Sequence, residues 1–310
     1  MKLVFMGTPA AAVPSLAAIV EAGHDVVSVW TQPDRPAGRG KRLSPPPVKA
    51  YAEEKGIPVH QPKRIKGEEQ IEVFRSLDAD AAVVVAYGKI LPPRFLEAFP
   101  DGCINVHFSI LPKYRGAAPV NWAIVNGENR TGVTTMLMDE GLDTGDILLQ
   151  KETPIGEDET SDELTGRLAH LGADLIVETL EKLPTINPRK QDDAKATLAP
   201  LMKKEDGEID WSMTAEEIER RVRGFQPFPR SFTSSSIGRL TFWKCSSLVD
   251  HTSQVEPGTV LKAGNGVFAV ACGSGTALSV EIVQQEGKRK MAVEDFLNGA
   301  KLKVGEKFGD

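Results

Sequence analysis

Short apolar runs separated by helical spacing dominate the first half of the chain. Leu3 to Met6 is an apolar run that stops at Gly7; Pro14 to Ala22 has helical spacing and ends at Gly23; Val26 to Trp30 is the next run. Ala81 to Ala86 and Cys103 to Val106 follow as continuous apolar stretches, and Gly132 to Met138 and Ile147 to Lys151 as later strands. Continuous rather than alternating apolar runs predict strands covered on both faces, as in a mostly parallel α/β sheet. Ser161 to Leu183 predicts a long helix, with Thr160 or Ser161 as N-cap.

The pattern breaks between Pro184 and Gly207, where proline, lysine and aspartate dominate, and predicts an extended linker. Thr214 to Val222 then predicts a helix opened by a Thr214/Glu217 capping box. Beyond Pro229 the texture becomes short runs, 239–245, 259–261, 267–271 and 278–283, parted by Gly- and Ser-rich turns. That spacing predicts a small antiparallel barrel. The expected organisation is therefore a Rossmann-like α/β domain over 1–183, a linker over 184–207 and a small OB-like β-barrel domain over 208–310.

Composition changes this picture little. A chain of 310 residues with 41% hydrophobic content suits two domains better than one. No apolar run approaches the roughly 20 residues that span a bilayer, so no membrane association is expected. The apolar start is also too short for a signal peptide. Three scattered cysteines, Cys103, Cys245 and Cys272, offer neither a disulfide framework nor a zinc knuckle, which fits a reducing cytoplasm. The net charge of −6 sits entirely before Glu208; from there to the end, 13 basic and 13 acidic residues balance. Local basic stripes matter more for nucleic-acid binding than this total.

The densest chemistry lies in Asn105-Val106-His107-Phe108-Ser109-Ile110-Leu111-Pro112, directly after an apolar strand. Residues two apart on a strand share a face, and ligands of open α/β sheets bind beyond the carboxyl ends of strands. Asn105 and His107 can therefore aim into one site. There the imidazole would accept a proton and the amide would donate to a developing oxyanion. His24, His60, His170 and His251 carry no such context and are expected to be structural. Asp139 to Ile147 places three aspartates among glycines. It lacks the alternating ligands and closing glutamate of a calcium loop, and Asp139 and Asp146 suit an ordinary acidic turn. The glycines would let one carboxylate reach His107 and orient it. Gly7-Thr8-Pro9-Ala10-Ala11-Ala12 lacks the later glycines of a dinucleotide-binding loop, which argues against a dehydrogenase.

Asn105-x-His107-x-Ser109-x-Leu111-Pro112, Tyr114-Arg115-Gly116-Ala117-Ala118-Pro119 and Asp143-Thr144-Gly145 together resemble the 10-formyltetrahydrofolate-dependent formyltransferases. The resemblance implies a catalytic trio of Asn105, His107 and Asp143. It also implies a reduced-folate site lined by Ser109, Ile110, Leu111 and Pro112, with 10-formyltetrahydrofolate as a consumed co-substrate and no metal. Phe108 departs from the pattern, standing where these enzymes usually have glycine or proline. Members act on a purine precursor, a nucleotide-sugar amine or methionyl-tRNA. The purine-pathway type is shorter and would leave the second domain unexplained. Thr31 to Arg42, a Pro- and Gly-rich loop with four basic residues and one acid, is similar to the tRNA-inserting loop of the members acting on tRNA. Val85-Ala86-Tyr87-Gly88, Ile209-Asp210-Trp211 and Arg223 to Pro229 extend the likeness over nearly the whole chain.

The resemblance thus implies formylation of initiator methionyl-tRNA for translation initiation, with Arg35, Arg39, Lys41 and Arg42 on the RNA. It implies further phosphate contacts from Lys288, Arg289 and Lys290. A nucleotide-sugar amine is the alternative acceptor, and a tRNA-binding module without turnover is a rival of another class. No protein partner is implied, and a monomer is expected.

Overall fold

In a computed structural model, residues 1–37, 42–248 and 254–309 are described. The chain runs β1 (Lys2–Gly7), α1 (Val13–Glu21), β2 (Asp25–Trp30), β3 (Arg35–Ala37), β4 (Arg42–Ser44), α2 (Pro47–Glu54), β5 (Val59–His60), α3 (Glu68–Arg75), β6 (Ala81–Val85), α4 (Pro93–Leu96) and β7 (Cys103–His107). It continues through β8 (Arg115–Gly116), α5 (Pro119–Val125), β9 (Arg130–Leu137), β10 (Ile147–Pro154), α6 (Ser161–Lys182), β11 (Leu198–Ala199) and α7 (Ala215–Gly224). The last elements are β12 (Ser231–Thr233), β13 (Leu240–Ser247), β14 (Val260–Gly264), β15 (Val267–Ala271), β16 (Ala277–Gln285), β17 (Met291–Ala292) and α8 (Val293–Gly299). Two compact units result, one of residues 1–119, 130–154 and 165–199, the other of 120–129, 155–164 and 200–310.

The first unit is built on a seven-stranded sheet in the order β10-β9-β7-β6-β1-β2-β5. β5, β2, β1, β6 and β7 are parallel, and β9 runs antiparallel to β7. The apolar runs are its buried interior: Leu3 to Met6 and Ala81 to Val85 are at most 5% exposed. Trp30, Phe74 and Phe95 pack edge-on and tilted with ring centroids 4.4–5.8 Å apart. Strand order reverses direction of growth at β1, so the crevice such sheets offer to ligands opens at the carboxyl ends of β1 and β6. α6 begins where expected, with Thr160 and Glu163 exchanging cap hydrogen bonds.

Two expectations need correction. The loop expected over 31–42 contains β3 and runs into β4, and the two pair antiparallel with Arg35 facing Ser44. Within the segment expected to be an extended linker, 184–207, residues up to 199 belong to the first unit: Arg189 pairs with Ile147, and β11 pairs in parallel with β8.

The second unit carries an antiparallel sheet in the order β12-β13-β16-β15-β14, with β17 on β16. Among the described residues no ladder joins β12 to β14, so the sheet is barrel-like without closing. Its core is aromatic: Trp211, Phe242, Phe268, Phe296 and Phe308 are buried together. α7 has the expected capping box between Thr214 and Glu217. No helix among the described residues is long and apolar enough to cross a membrane.

Candidate functional site

β7 delivers Asn105 and His107 on one face, both less than 10% exposed. The parallel register that pairs Val84 with Asn105 sets the loop leaving β6 at Ala86 level with His107. Asp143 arrives from the glycine-bounded loop between β9 and β10. Its Oδ1 accepts from Asn105 Nδ2 at 3.5 Å, its Oδ2 accepts from the Gly116 amide at 2.8 Å, and the same Oδ2 lies 3.7 Å from His107 Nδ1. The three residues of the expected trio thus meet at the strand ends.

The imidazole has its far nitrogen committed. His107 Nε2 lies 2.9 Å from the Tyr114 carbonyl, which can only accept, so Nε2 carries a proton. In the neutral ring the lone pair is then on Nδ1, on the side of Asp143. Backbone strain collects around this point. Ala86 (φ 47°), Tyr114 (φ 62°) and Asp143 (φ 53°) all occupy the left-handed region that disfavours side chains. The Asp139 carboxylate instead closes its own turn, accepting from Gly141 N and Thr144 Oγ1.

The segment after His107, Ser109 to Pro112, expected to line a folate site and to offer it backbone groups, folds as a tied turn. Ser109 is fully buried and donates to the Lys113 carbonyl, and Leu111 packs with Met136 and Ile147. Thr134 Oγ1 ties the turn by donating to Ser109 O and accepting from Leu111 N. Ile110 approaches Gly132, where any Cβ would lie 2.5 Å from it. Pro112 is half-buried. The strand's alternation ends at His107, so the side chains beyond it follow the turn. On the loops that follow β6 and β9, Ile90 is 80% and Leu142 61% exposed.

Phe108 faces away from the trio. With Val106 it covers Gly172 of α6, where an added Cβ would lie 2.9 Å from Val106 Cγ1 and 3.4 Å from Phe108 Cε1. The departure at 108 is thus matched by a glycine on the opposing helix. Phe108→Ala is expected to lower stability by about 2–3 kcal/mol, less than a fully buried phenylalanine would. Its kcat should stay within a few-fold. Urea denaturation alongside a turnover assay checks both.

All three cysteines are buried. Burial pushes the Cys103 and Cys272 thiols up to about 12 and Cys245 well above its ordinary value. His60 stacks on Trp30 at 5.0 Å, and His170 is exposed. His24 lies against the N-terminal amine. His251 lies outside the described residues. Among the described residues no cluster of three His, Cys, Asp or Glu is placed to hold a metal.

The basic candidates fall in two places. Arg39 and Lys41 lie outside the described residues, and Arg42 opens β4. The loop's acid, Asp34, is held by Gln61 first and then Lys49, whose hydrogen bonds keep its carboxyl below the usual range. Exposed Arg35 lies near Lys89. Burial first, and then the Arg35 charge, hold that amine below the ordinary lysine value. In the second unit Lys288, Arg289 and Lys290 are exposed between β16 and β17. Lys290 stands over the Trp243 ring at 4.9 Å and Arg230 over it at 4.5 Å. Lys89, Arg230 and Trp243 were not legible as candidates, because each is isolated in sequence from the basic runs. The two solitary residues beside Lys290, an arginine and a tryptophan, gain meaning only by stacking.

Comparison with known proteins places this geometry. Residues 1–180 match the formyl transferase family and residues 201–301 match the formyl transferase C-terminal domain. The chain is 52% identical over 312 residues to the methionyl-tRNA formyltransferase of Solibacter usitatus, covering 100% of this chain and 99% of that one. It is 49% identical over 311 residues to the methionyl-tRNA formyltransferase of Citrifermentans bemidjiense, covering 100% and 96%. Among solved structures, the N-formyltransferase of Helicobacter canadensis, in complex with folinic acid and dTDP-3-aminofucose, shares the fold. Its TM-score is 0.65 at 21% identity, over 90% of this chain and 98% of that one. The sugar 3N-formyl transferase WlaRD gives 0.67 at 20%, over 93% and 99%. With both of its matched regions accounted for in this way, the chain belongs to the formyl transferase family.

Proposed function

We propose that this protein transfers the formyl group of 10-formyltetrahydrofolate to the methionyl α-amine of initiator methionyl-tRNA. The observation that carries the acceptor is the near-half identity, over the full chain, to proteins named methionyl-tRNA formyltransferase. The sugar-acting proteins share the fold at only about a fifth identity. A cytoplasmic place of action follows from a tRNA acceptor.

The residues present suit both reactants. The turn Ser109 to Pro112, which follows His107 directly, lines the folate site in this reading and offers it backbone groups, and exposed Ile90 and Leu142 on the loops after β6 and β9 add apolar surface. The folate brings the activated formyl group; the chain's residues do the rest. Asn105 Nδ2–H meets the negative charge that develops on the formyl oxygen as the neutral amine adds to the formyl carbon. His107 Nδ1 takes the proton the amine loses and delivers it to the folate nitrogen as the carbon–nitrogen bond to the donor breaks. The Asp143 carboxylate faces Nδ1 while it holds that proton. The products are the formylated amine and tetrahydrofolate, with no covalent enzyme intermediate.

For the RNA we assign Arg35, Arg39, Lys41 and Arg42, joined by Lys89, as one set of contacts. Lys288, Arg289 and Lys290, with Arg230 and the Trp243 face, form the other, because stacked cations over an aromatic ring suit a single-stranded or backbone contact. Incubation with 10-formyltetrahydrofolate and either methionyl-tRNA or a dTDP-amino sugar, with the product identified by mass, tests the acceptor. Formylation of the sugar alone overturns it. Within the RNA arm, Arg39→Ala is expected to lower kcat/KM for methionyl-tRNA, with folate KM unchanged. It should also flatten the salt dependence of tRNA binding by roughly one unit of log–log slope. Arg39→Lys should remain impaired, since the planar fork is lost. Equal kcat/KM in all three proteins removes Arg39 from the RNA contacts.

A further inference from the structure

Both backbone segments that flank His107 are pinned by one strap, residues 189–199, and by its side chains as well as its backbone. Gln191 Nε2 donates to the carbonyls of Asp143 and Gly145, each at 2.8 Å, and its Oε1 accepts from Arg115 Nε at 3.0 Å. Both amide hydrogens are therefore used, and the orientation of the amide is dictated: two carbonyls can only accept and a guanidinium can only donate. Arg115, buried to 6% exposure, is held in turn by Asp193 at 2.7 Å. On the other side, Thr197 Oγ1 accepts from the Tyr114 amide at 2.9 Å, and Thr197 O accepts from the Arg115 amide at 2.9 Å.

The two pinned residues, Asp143 and Tyr114, both have left-handed backbones. They are also the two that present groups to His107, a carboxylate toward Nδ1 and a carbonyl at Nε2. A left-handed aspartate or tyrosine relaxes unless its surroundings hold it. We propose that Gln191 and Thr197 are positioning residues for formyl transfer, fixing Asp143 and Tyr114 so that His107 is held with Nδ1 free to take a proton. Neither touches the reactants; each acts through the residue it pins. This rests on the functional reading above, and it deepens it by giving the strap a part in the reaction.

The strap's other bonds separate this role from plain support of the fold. Arg189 pairs with Ile147 through the backbone and donates to Gln150 at 2.7 Å, whose own amide donates to the Leu111 carbonyl and Thr134 Oγ1 and to neither Asp143 nor Tyr114. Losing that side chain should cost stability without touching the chemistry.

The test compares wild type with Gln191→Ala, Gln191→Glu, Thr197→Val, Thr197→Ser and Arg189→Ala, on whichever acceptor amine the wild type formylates. Gln191→Ala, Gln191→Glu and Thr197→Val are expected to lower kcat by about 10- to 100-fold, the scale of a small misplacement of catalytic groups. KM for the folate and for the amine should stay within about threefold. The acid limb of the kcat–pH profile should move in the Gln191 variants, because the group facing Nδ1 is displaced. Thr197→Ser, which keeps the acceptor oxygen, should behave as wild type, and Arg189→Ala should keep kcat while melting lower. A Gln191→Ala enzyme with wild-type kcat and pH profile overturns the proposal, as does a loss confined to KM or one shared by Arg189→Ala. A wild type that formylates only the sugar amine overturns the functional reading alone, since the Gln191 comparison still reports on that amine. A wild type that formylates neither overturns both.

Discussion

Asn105→Ala is expected to lower kcat by about 10²- to 10³-fold, the usual cost of removing an oxyanion donor. His107→Ala should lose about 10²- to 10⁴-fold, the range of a positioned acid–base group. Both should bind tRNA nearly as wild type does, because the basic residues assigned to RNA lie on other segments. The physical reason for the large effect is pre-organisation. Asn105 is 9% and His107 6% exposed, so neither has bulk water beside it to substitute for the lost group. Asp143→Asn separates charge from shape. It keeps a side chain of the same size, but puts an amide where Oδ2 accepts from Gly116 and faces Nδ1. Its loss should approach that of His107→Ala if the carboxylate charge matters to the proton on Nδ1. Single-turnover formylation at saturating folate isolates the chemical step. A His107→Ala enzyme with near-normal single-turnover rate would remove that residue from the proton path.

How much of this was legible in the sequence differs from one element to the next. Leu3 to Met6 and Ala81 to Val85 announced themselves because strands buried on both faces must be apolar throughout. Thr214 with Glu217 announced the start of α7, because a capping box is local chemistry. Asn105 and His107 were legible as a pair because strand alternation is local too. The resemblance supplied Asp143, which lies 38 residues away from Asn105 in the chain. What could not be read is long-range. Gln191 reaches its partner across 48 residues from a stretch whose prolines and charges signal no regular element. Such a strap satisfies its backbone with isolated bridges and side chains, so it leaves no periodic pattern. The hairpin β3–β4 hid for a related reason, since proline and glycine in a short run speak for a turn more loudly than three-residue strands speak for pairing. Closure of the second unit's sheet was beyond reach as well. Strand lengths and turns show antiparallel neighbours, but whether β12 meets β14 depends on curvature.

Gly145→Ala is expected to cost about 10²-fold in kcat, although residue 145 touches neither reactant. An added Cβ would sit 1.7 Å from the Leu137 carbonyl oxygen and 3.3 Å from the Asp139 amide nitrogen. Both are backbone atoms. Leu137 is fixed in β9, where its amide donates to the Asp146 carbonyl at 2.9 Å, so the loop rather than the sheet must yield. The movement has one direct consequence. The Gly145 and Asp143 carbonyls share the Gln191 amide, so displacing one tilts the other, and the Asp143 carboxylate leaves its place beside Nδ1. Gly166, exposed in α6 with nothing within 4 Å of an added Cβ, is the control. Gly166→Ala should raise stability by about 0.5–1 kcal/mol, from helix propensity alone, and leave kcat as it is. Placing a methyl group at 145 should therefore separate from placing one at 166 in both stability and turnover. Should Gly145→Ala turn over at the wild-type rate while remaining folded by circular dichroism, the loop can absorb a methyl without moving Asp143, and the dependence of the chemistry on that backbone path is wrong.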